Sequence, residues 1–168
     1  VSIDDFQSIV VAMREGRALV YRRICLIVSR AVSERLGNRW LAGYLLCQAN
    51  NPLRERLKPL MPDSAAGITR ALPGWLKQQK PDVLIYGNHE IGESLAHLVA
   101  PKTGLVNLHV RSAYGPESGI YQASTVVGAR AIDAVVSQLH HNIVGLLPNP
   151  CLHLIQGSWV AGQTTPRP

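Results

Sequence analysis

The chain has 168 residues, of which 46% are hydrophobic, 17% charged and 5% aromatic, with a formal net charge of +6 and a mean hydropathy close to zero. That length suits one globular domain or two small lobes, and the abundant apolar residues without low-complexity runs exclude a disordered chain. No stretch of 18 apolar residues exists, which excludes a helical membrane span. The N-terminus also lacks the basic-then-apolar pattern of an export signal, so the expected location is cytoplasmic.

Residues 4–18 read as a helix. Asp4 is its N-cap, and Phe6, Ile9, Val10 and Met13 recur at helical spacing. The run Arg23–Ser29 is short and almost continuously apolar, as in a parallel strand covered on both faces. A polar segment, 30–38, follows. Residues 39–49 form the next helix, with Leu41, Tyr44, Leu45 and Gln48 in helical register, and Asn50-Asn51-Pro52 stops it. Residues 53–63 leave room for a short strand near Leu57–Met61. Ser64 caps a helix running towards Gln79 with Pro73 inside it, so the helix either starts late or kinks.

Lys80-Pro81-Asp82 turns into a second buried strand, Val83–Tyr86. Gly87-Asn88 leads into helix 89–99, with Ile91, Leu95 and Leu98 on one face. A third strand spans 104–110 and a loop 111–119. Helix 123–141 carries a stripe of Val127, Ala131, Val135 and Leu139, with Ile132 and Val136 beside it. Pro148 and Pro150 precede a last strand, 152–156, and the tail after Gly162 reads as frayed. This alternation of helix and strand predicts an α/β fold, a parallel sheet flanked by helices on both faces. Ligands of such sheets bind beyond the C-terminal strand ends, which here are 29–39, 86–89 and 109–122.

Charge is uneven. Residues 1–80 hold 13 Lys+Arg against 6 Asp+Glu, and residues 81–168 hold 4 against 5. The arginines from Arg14 to Arg56 are dispersed and lack interleaved aromatics, so direct nucleic-acid contact by these residues is not expected. The three cysteines, Cys25, Cys47 and Cys151, are odd in number and far apart, which reads as reduced core thiols.

No phosphate-loop, dinucleotide or hydrolase motif occurs, and no catalytic residue or cofactor is expected. His89, Glu93 and His97 share one helical stripe. Its two ends lie about 12 Å apart at 1.5 Å per residue, too far for one ion, so no metal site is expected. His140-His141 suits the negative end of a helix without any ligand. Tyr86–His89 and Leu108–Ser112 together form a polar rim over an apolar sheet, the layout of a small-molecule cleft.

Several stretches, in order, resemble the effector-binding domain of LacI/GalR-family bacterial transcription regulators. Val1–Asp4 with its helix and Tyr21–Ile27 resemble that family's opening helix, turn and strand. Glu34-Arg35 and Arg39–Tyr44 resemble its arginine-bearing helix. Pro81–Ile85 with Asn88-His89, and Gly104–Leu108, resemble its next two strands. Gly119–Gln122 with Val127–Asp133 resembles the crossover and its helix, and Leu154–Gly157 the closing strand. The resemblance covers residues 1–160. It implies a type I periplasmic-binding-protein-like C-terminal lobe, formed by 1–110 and 150–162. It also implies a crossover segment, 111–149, whose long helix belongs to a first lobe outside this sequence.

The implied function is ligand sensing. A sugar-like or nucleobase-like effector binds between two lobes and allosterically controls operator binding. The implied partners are that effector, a second copy in a homodimer, and operator DNA through an absent N-terminal headpiece, with no membrane and no enzyme activity. The implied effector-binding residues are Asp4, Arg35, Arg39, Asn88, His89, His109 and Gln122. His89 and His109 stand where the family usually has Asp, and Arg39 is one place out of register, so Arg35 and Arg39 are both candidates. The apolar stripe of helix 123–141, robbed of first-lobe partners, is expected to pack on a second copy or to fold back onto the sheet. A lobe of a solute-binding transport protein and a small α/β enzyme are the alternative readings.

Overall fold

A computed structural model describes residues 1–87, 89–145 and 149–166, without the side chains of His89 and Glu90. The elements run β1 (Ser2–Ile3), α1 (Asp5–Ala18), β2 (Ile24–Ile27), α2 (Arg30–Arg35), α3 (Arg39–Ala49), a 3₁₀ turn (Leu53–Glu55), α4 (Ala65–Gln79), β3 (Val83–Tyr86), α5 (His89–Leu98), β4 (Gly104–Val110), β5 (Ser118–Tyr121), α6 (Ser124–His140), β6 (Leu154–Ile155) and β7 (Ser158–Val160).

The main sheet has the order β2-β3-β4-β5-β7. Its first four strands are parallel, and β7 returns antiparallel to β5. Strands β2 and β3 are buried along their whole length, as the unbroken apolar runs require. Side chains alternate between faces. Ile24, Leu26, Val83, Ile85, Val106 and Leu108 join Ile9 and Met13 of α1 and Trp40 and Tyr44 of α3 in one core. Cys25, Ile27, Leu84, Tyr86 and Leu105 join Ile68 and Leu72 of α4 and Ile91 and Leu95 of α5 in the other. The result is the expected sheet between two helical layers.

Local chemistry explains the element starts. The Asp4 carboxylate accepts from Gln7 N at 2.9 Å, and Ser64 Oγ accepts from Gly67 N at 3.2 Å. Helix α4 runs unbroken through Pro73. Helices α1 and α3 cross closely because residue 43 is glycine: a Cβ there would sit 2.4 Å from Ile9 Cγ2. Much of the basic half is engaged internally. Arg17 pairs with Glu55 at 2.7 Å. The Arg23 guanidinium donates to the Lys80 and Arg54 carbonyls at 3.2 and 2.7 Å, and that of Arg56 to the Asn51 and Ala49 carbonyls at 2.8 and 2.7 Å. Their donors meet carbonyls rather than an open basic surface.

Several expectations are corrected. The polar segment 30–38 contains α2, whose Val32 amide is capped by Ser29 Oγ at 3.4 Å. The loop expected over 111–119 ends in strand β5, which sequence patterning missed because it is four residues long and holds Ser118 and Gly119. The last strand is two: β6 pairs with β1 in a separate two-stranded parallel sheet, and β7 joins the main sheet. The strand expected near Leu57–Met61 reduces to a single bridge from Leu60 to Ile27. As far as Pro166, the last described residue, the tail is not frayed. Thr164 Oγ1 donates to Leu105 O at 2.7 Å and accepts from Ser118 N at 2.9 Å, and Gln163 N donates to Pro116 O at 2.7 Å. Of the three free thiols only Cys25 is a core residue, whereas Cys47 is half-buried and Cys151 exposed.

Helix α6 does not fold back onto the sheet. None of its residues is buried, and Ile132 and Leu139 are 65% and 67% exposed. Pro148 lies outside the described residues.

Candidate functional site

A cavity of about 470 Å³ opens at the C-terminal edge of the parallel strands. Helix α2, entered directly from β2, contributes Val32 and Arg35. Gly87 follows β3. His109 and Val110 end β4 and Arg111 follows it. Gln122 and Ser124 follow β5, the latter as the first residue of α6. Each wall therefore comes from the end of a parallel strand or the segment that follows it, where successive strand ends converge.

A buried indole supports the His109 wall from behind. Trp40 is 1% exposed, and its ring meets the His109 imidazole edge to face, with centroids 5.2 Å apart at 64°. Residue 87 must be glycine for this to happen, because a Cβ there would lie 2.1 Å from Trp40 Cη2. Burial holds the His109 imidazole below its ordinary pKa of 6.5, and the neighbouring Arg35 charge adds to this. His109 is thus a neutral donor and acceptor at neutral pH. The Gln122 carboxamide is fixed, its Nε2 donating to Leu108 O at 3.1 Å.

The residues singled out from the sequence divide. Arg35, His109 and Gln122 line one cavity. Asp4 caps α1, and Arg39 opens α3, half-buried; neither lines that cavity. Arg39 lies instead near Asp5, a buried carboxyl pushed above the usual carboxylate range by lost hydration, against which the Arg39 charge acts. Asn88 lies outside the described residues. His89 begins α5, and its side chain is likewise outside them, so the stripe with Glu93 and His97 has no described geometry. Val32, Arg111 and Ser124 were not singled out. Arg111 lies inside the polar rim expected from the sequence, but Ser124 depends on where β5 ends, and the sequence pattern assigns no strand there.

No family model matches the sequence, and no curated protein matches it either. Solved structures do. A LacI transcriptional regulator from Rhodococcus species superposes with a TM-score of 0.73 at 18% identity, over 98% of this chain and 63% of the other. The dimeric Lac repressor with an 11-residue C-terminal deletion gives 0.71 at 18%, over 99% and 63%.

The chain has the LacI-regulator fold.

A LacI family regulator from Enterococcus faecium, solved with bound ribose, gives 0.70 at 11%, over 98% and 64%. The chain therefore spans less than two thirds of the length of the regulators it matches. Among the described residues, no helix is long and apolar enough to cross a membrane.

Proposed function

We propose that the chain is the effector-sensing part of a LacI-type transcriptional regulator. The observation that carries this reading is the polar cavity of about 470 Å³ at the C-terminal edge of four parallel strands. It is concave and gathers a few convergent polar groups, which is how small-molecule sites are built.

In this reading a small effector sits on Arg35, His109 and Gln122, with Asn88 and His89 at the neighbouring strand end and Asp4 and Arg39 at the cleft margin. Residues 1–110 and 150–162 form one lobe. Of the segment 111–149, β5 belongs to the main sheet of this lobe, and the part after Tyr121, with α6, crosses towards a second lobe contributed by sequence outside these residues. Effector binding biases the arrangement of the two lobes. That bias reaches operator DNA through a headpiece that is also outside them, in a cytoplasmic homodimer. The exposed α6 face supports the crossover assignment, since a stripe of that kind needs a partner.

The test is a thermal-shift series on the intact protein, with pentoses, hexoses, nucleosides and their phosphorylated forms. A ligand at 100 times its Kd stabilises by about 2.7 kcal/mol. The reading expects at least one compound to raise Tm, with the rise lost in Gln122→Ala. Compounds that never shift Tm, or shift it equally in Gln122→Ala, overturn it.

A further inference from the structure

The cavity is rich in hydrogen-bond donors and poor in acceptors. Arg35 and Arg111 bring two guanidinium groups, each with five donors and no acceptor. Among the described residues no carboxylate lines the cavity, and neither arginine has a carboxylate partner. Glu117, on the nearby segment, is engaged by Asn107, whose Nδ2 donates to both carboxylate oxygens at 3.4 Å. The acceptors on offer are few. Gln122 contributes one carbonyl oxygen, while one of its two amide N–H groups donates to Leu108 O. Ser124 contributes a hydroxyl and His109 one ring nitrogen.

A third feature adds to the two arginines. Ser124 is the first residue of the 17-residue helix α6. The N-cap position is Ala123, left-handed at φ 47°, so no side chain caps the helix, and its first turn carries no acid. Val126 N donates to Ala123 O at 2.8 Å, so Ser124 and Thr125 carry the opening amides without a helical acceptor, and Ser124 is at the cavity wall on the positive end of the helix.

A polyhydroxyl ligand brings an O–H donor with every hydroxyl, and a wall this poor in acceptors leaves those donors unmatched. A ligand whose oxygens only accept matches it. Two like charges facing one cavity also repel, and an anion between them removes that cost.

We propose that the ligand of this cavity carries an oxyanion group, a phosphate or a carboxylate, held between Arg35 and Arg111 at the first turn of α6. The inference rests on the cleft reading above and adds the ligand's chemical class. His109 supplies a neutral imidazole beside the anion, and Trp40 beneath it keeps that ring in place.

The test follows the His109 imidazole by NMR while the intact protein is titrated at constant low ionic strength. The probes are inorganic phosphate, acetate and neutral ribose. Phosphate or acetate should shift the His109 signal saturably, and whichever binds more tightly names the oxyanion. Arg35→Gln and Arg111→Gln should each weaken that binding about tenfold, the loss of one charge-assisted contact. Arg14→Gln, an exposed arginine on α1, should leave it unchanged. The proposal is overturned if neither anion gives a saturable shift, or if all three variants weaken binding alike. Should ribose alone shift His109, the anion is wrong and the cleft reading stands. Should no probe shift it, and the thermal-shift series also find nothing, both fail.

Discussion

Trp40 and His109 meet edge to face, with ring centroids 5.2 Å apart. One lies on α3, the other near the end of β4, so this contact ties a helix of the outer layer to the strand end that forms the cavity wall. It depends on a third position. The chain passes under the indole at Gly87, where any Cβ would overlap Trp40 Cη2 and Cζ3.

Gly87→Ala should therefore displace Trp40 and, through it, His109. The expected loss is about 1–3 kcal/mol, the usual cost of overpacking a filled core. Chemical denaturation measures it. Trp40→Phe, combined with Gly87→Ala, should recover part of the loss, because the smaller ring vacates the contested space. Additive losses in the double variant would contradict this coupling.

The His109 imidazole should titrate below the ordinary 6.5, principally because it is desolvated and secondarily because Arg35 is near. NMR titration of the ring reads this directly, and Arg35→Gln should raise the midpoint only part of the way. The sign for stability follows. The folded pKa is depressed, so below about pH 6.5 the unfolded chain takes up a proton that the folded chain refuses. Stability should fall as pH drops through that window, and His109→Gln should remove this component. An unchanged pH profile in that variant contradicts the assignment.

Thr164 anchors the tail to two strands at once, donating to Leu105 O and receiving Ser118 N. Thr164→Val keeps the shape and removes both bonds. The expected cost is about 1–3 kcal/mol, since Ser118 N and Leu105 O lose their partner at a part-buried site. Protease digestion should then cut the tail faster than in the unaltered chain. A variant as stable and as resistant as the original would restore the frayed-tail picture.

Helix α6 buries no residue against the rest of the chain. Ile132→Lys and Leu139→Lys in the 168-residue chain should each change stability by less than about 0.5 kcal/mol, as for uncovered positions. A loss of several kcal/mol on denaturation of dilute protein would show that this face is covered within the chain itself.

How much of this was legible in the sequence follows from which signals are local. Strands β2 and β3 are continuous apolar runs, helices α1 and α4 carry N-caps, and α3 carries helical spacing and a clear stop, so their bounds agree with the sequence reading to within about two residues. Short elements were illegible because their stability is not local. Strand β5 holds a serine and a glycine and exists because β4 and β7 flank it. Residue 119 must be glycine there, as a Cβ would lie 1.9 Å from Asn107 O. Helix α2 is six residues, too short for periodicity. The cavity inherits the same limit. Arg35, His109 and Gln122 follow or end recognisable stretches, whereas Ser124 enters only once β5 is known to end at Tyr121. Asp4 and Arg39, placed in the site by resemblance, have local roles at helix starts.

The central claim is that a small molecule binds at the C-terminal edge of the parallel sheet. Amide chemical-shift mapping of the intact protein, with the best ligand from the thermal-shift series, tests it most directly. The account predicts that the largest changes fall on Val32, Gly87, His109, Arg111 and Gln122, the successive strand ends around one cavity. Changes centred instead on the α1–α3 groove at Val10, Met13 and Cys47 would contradict it.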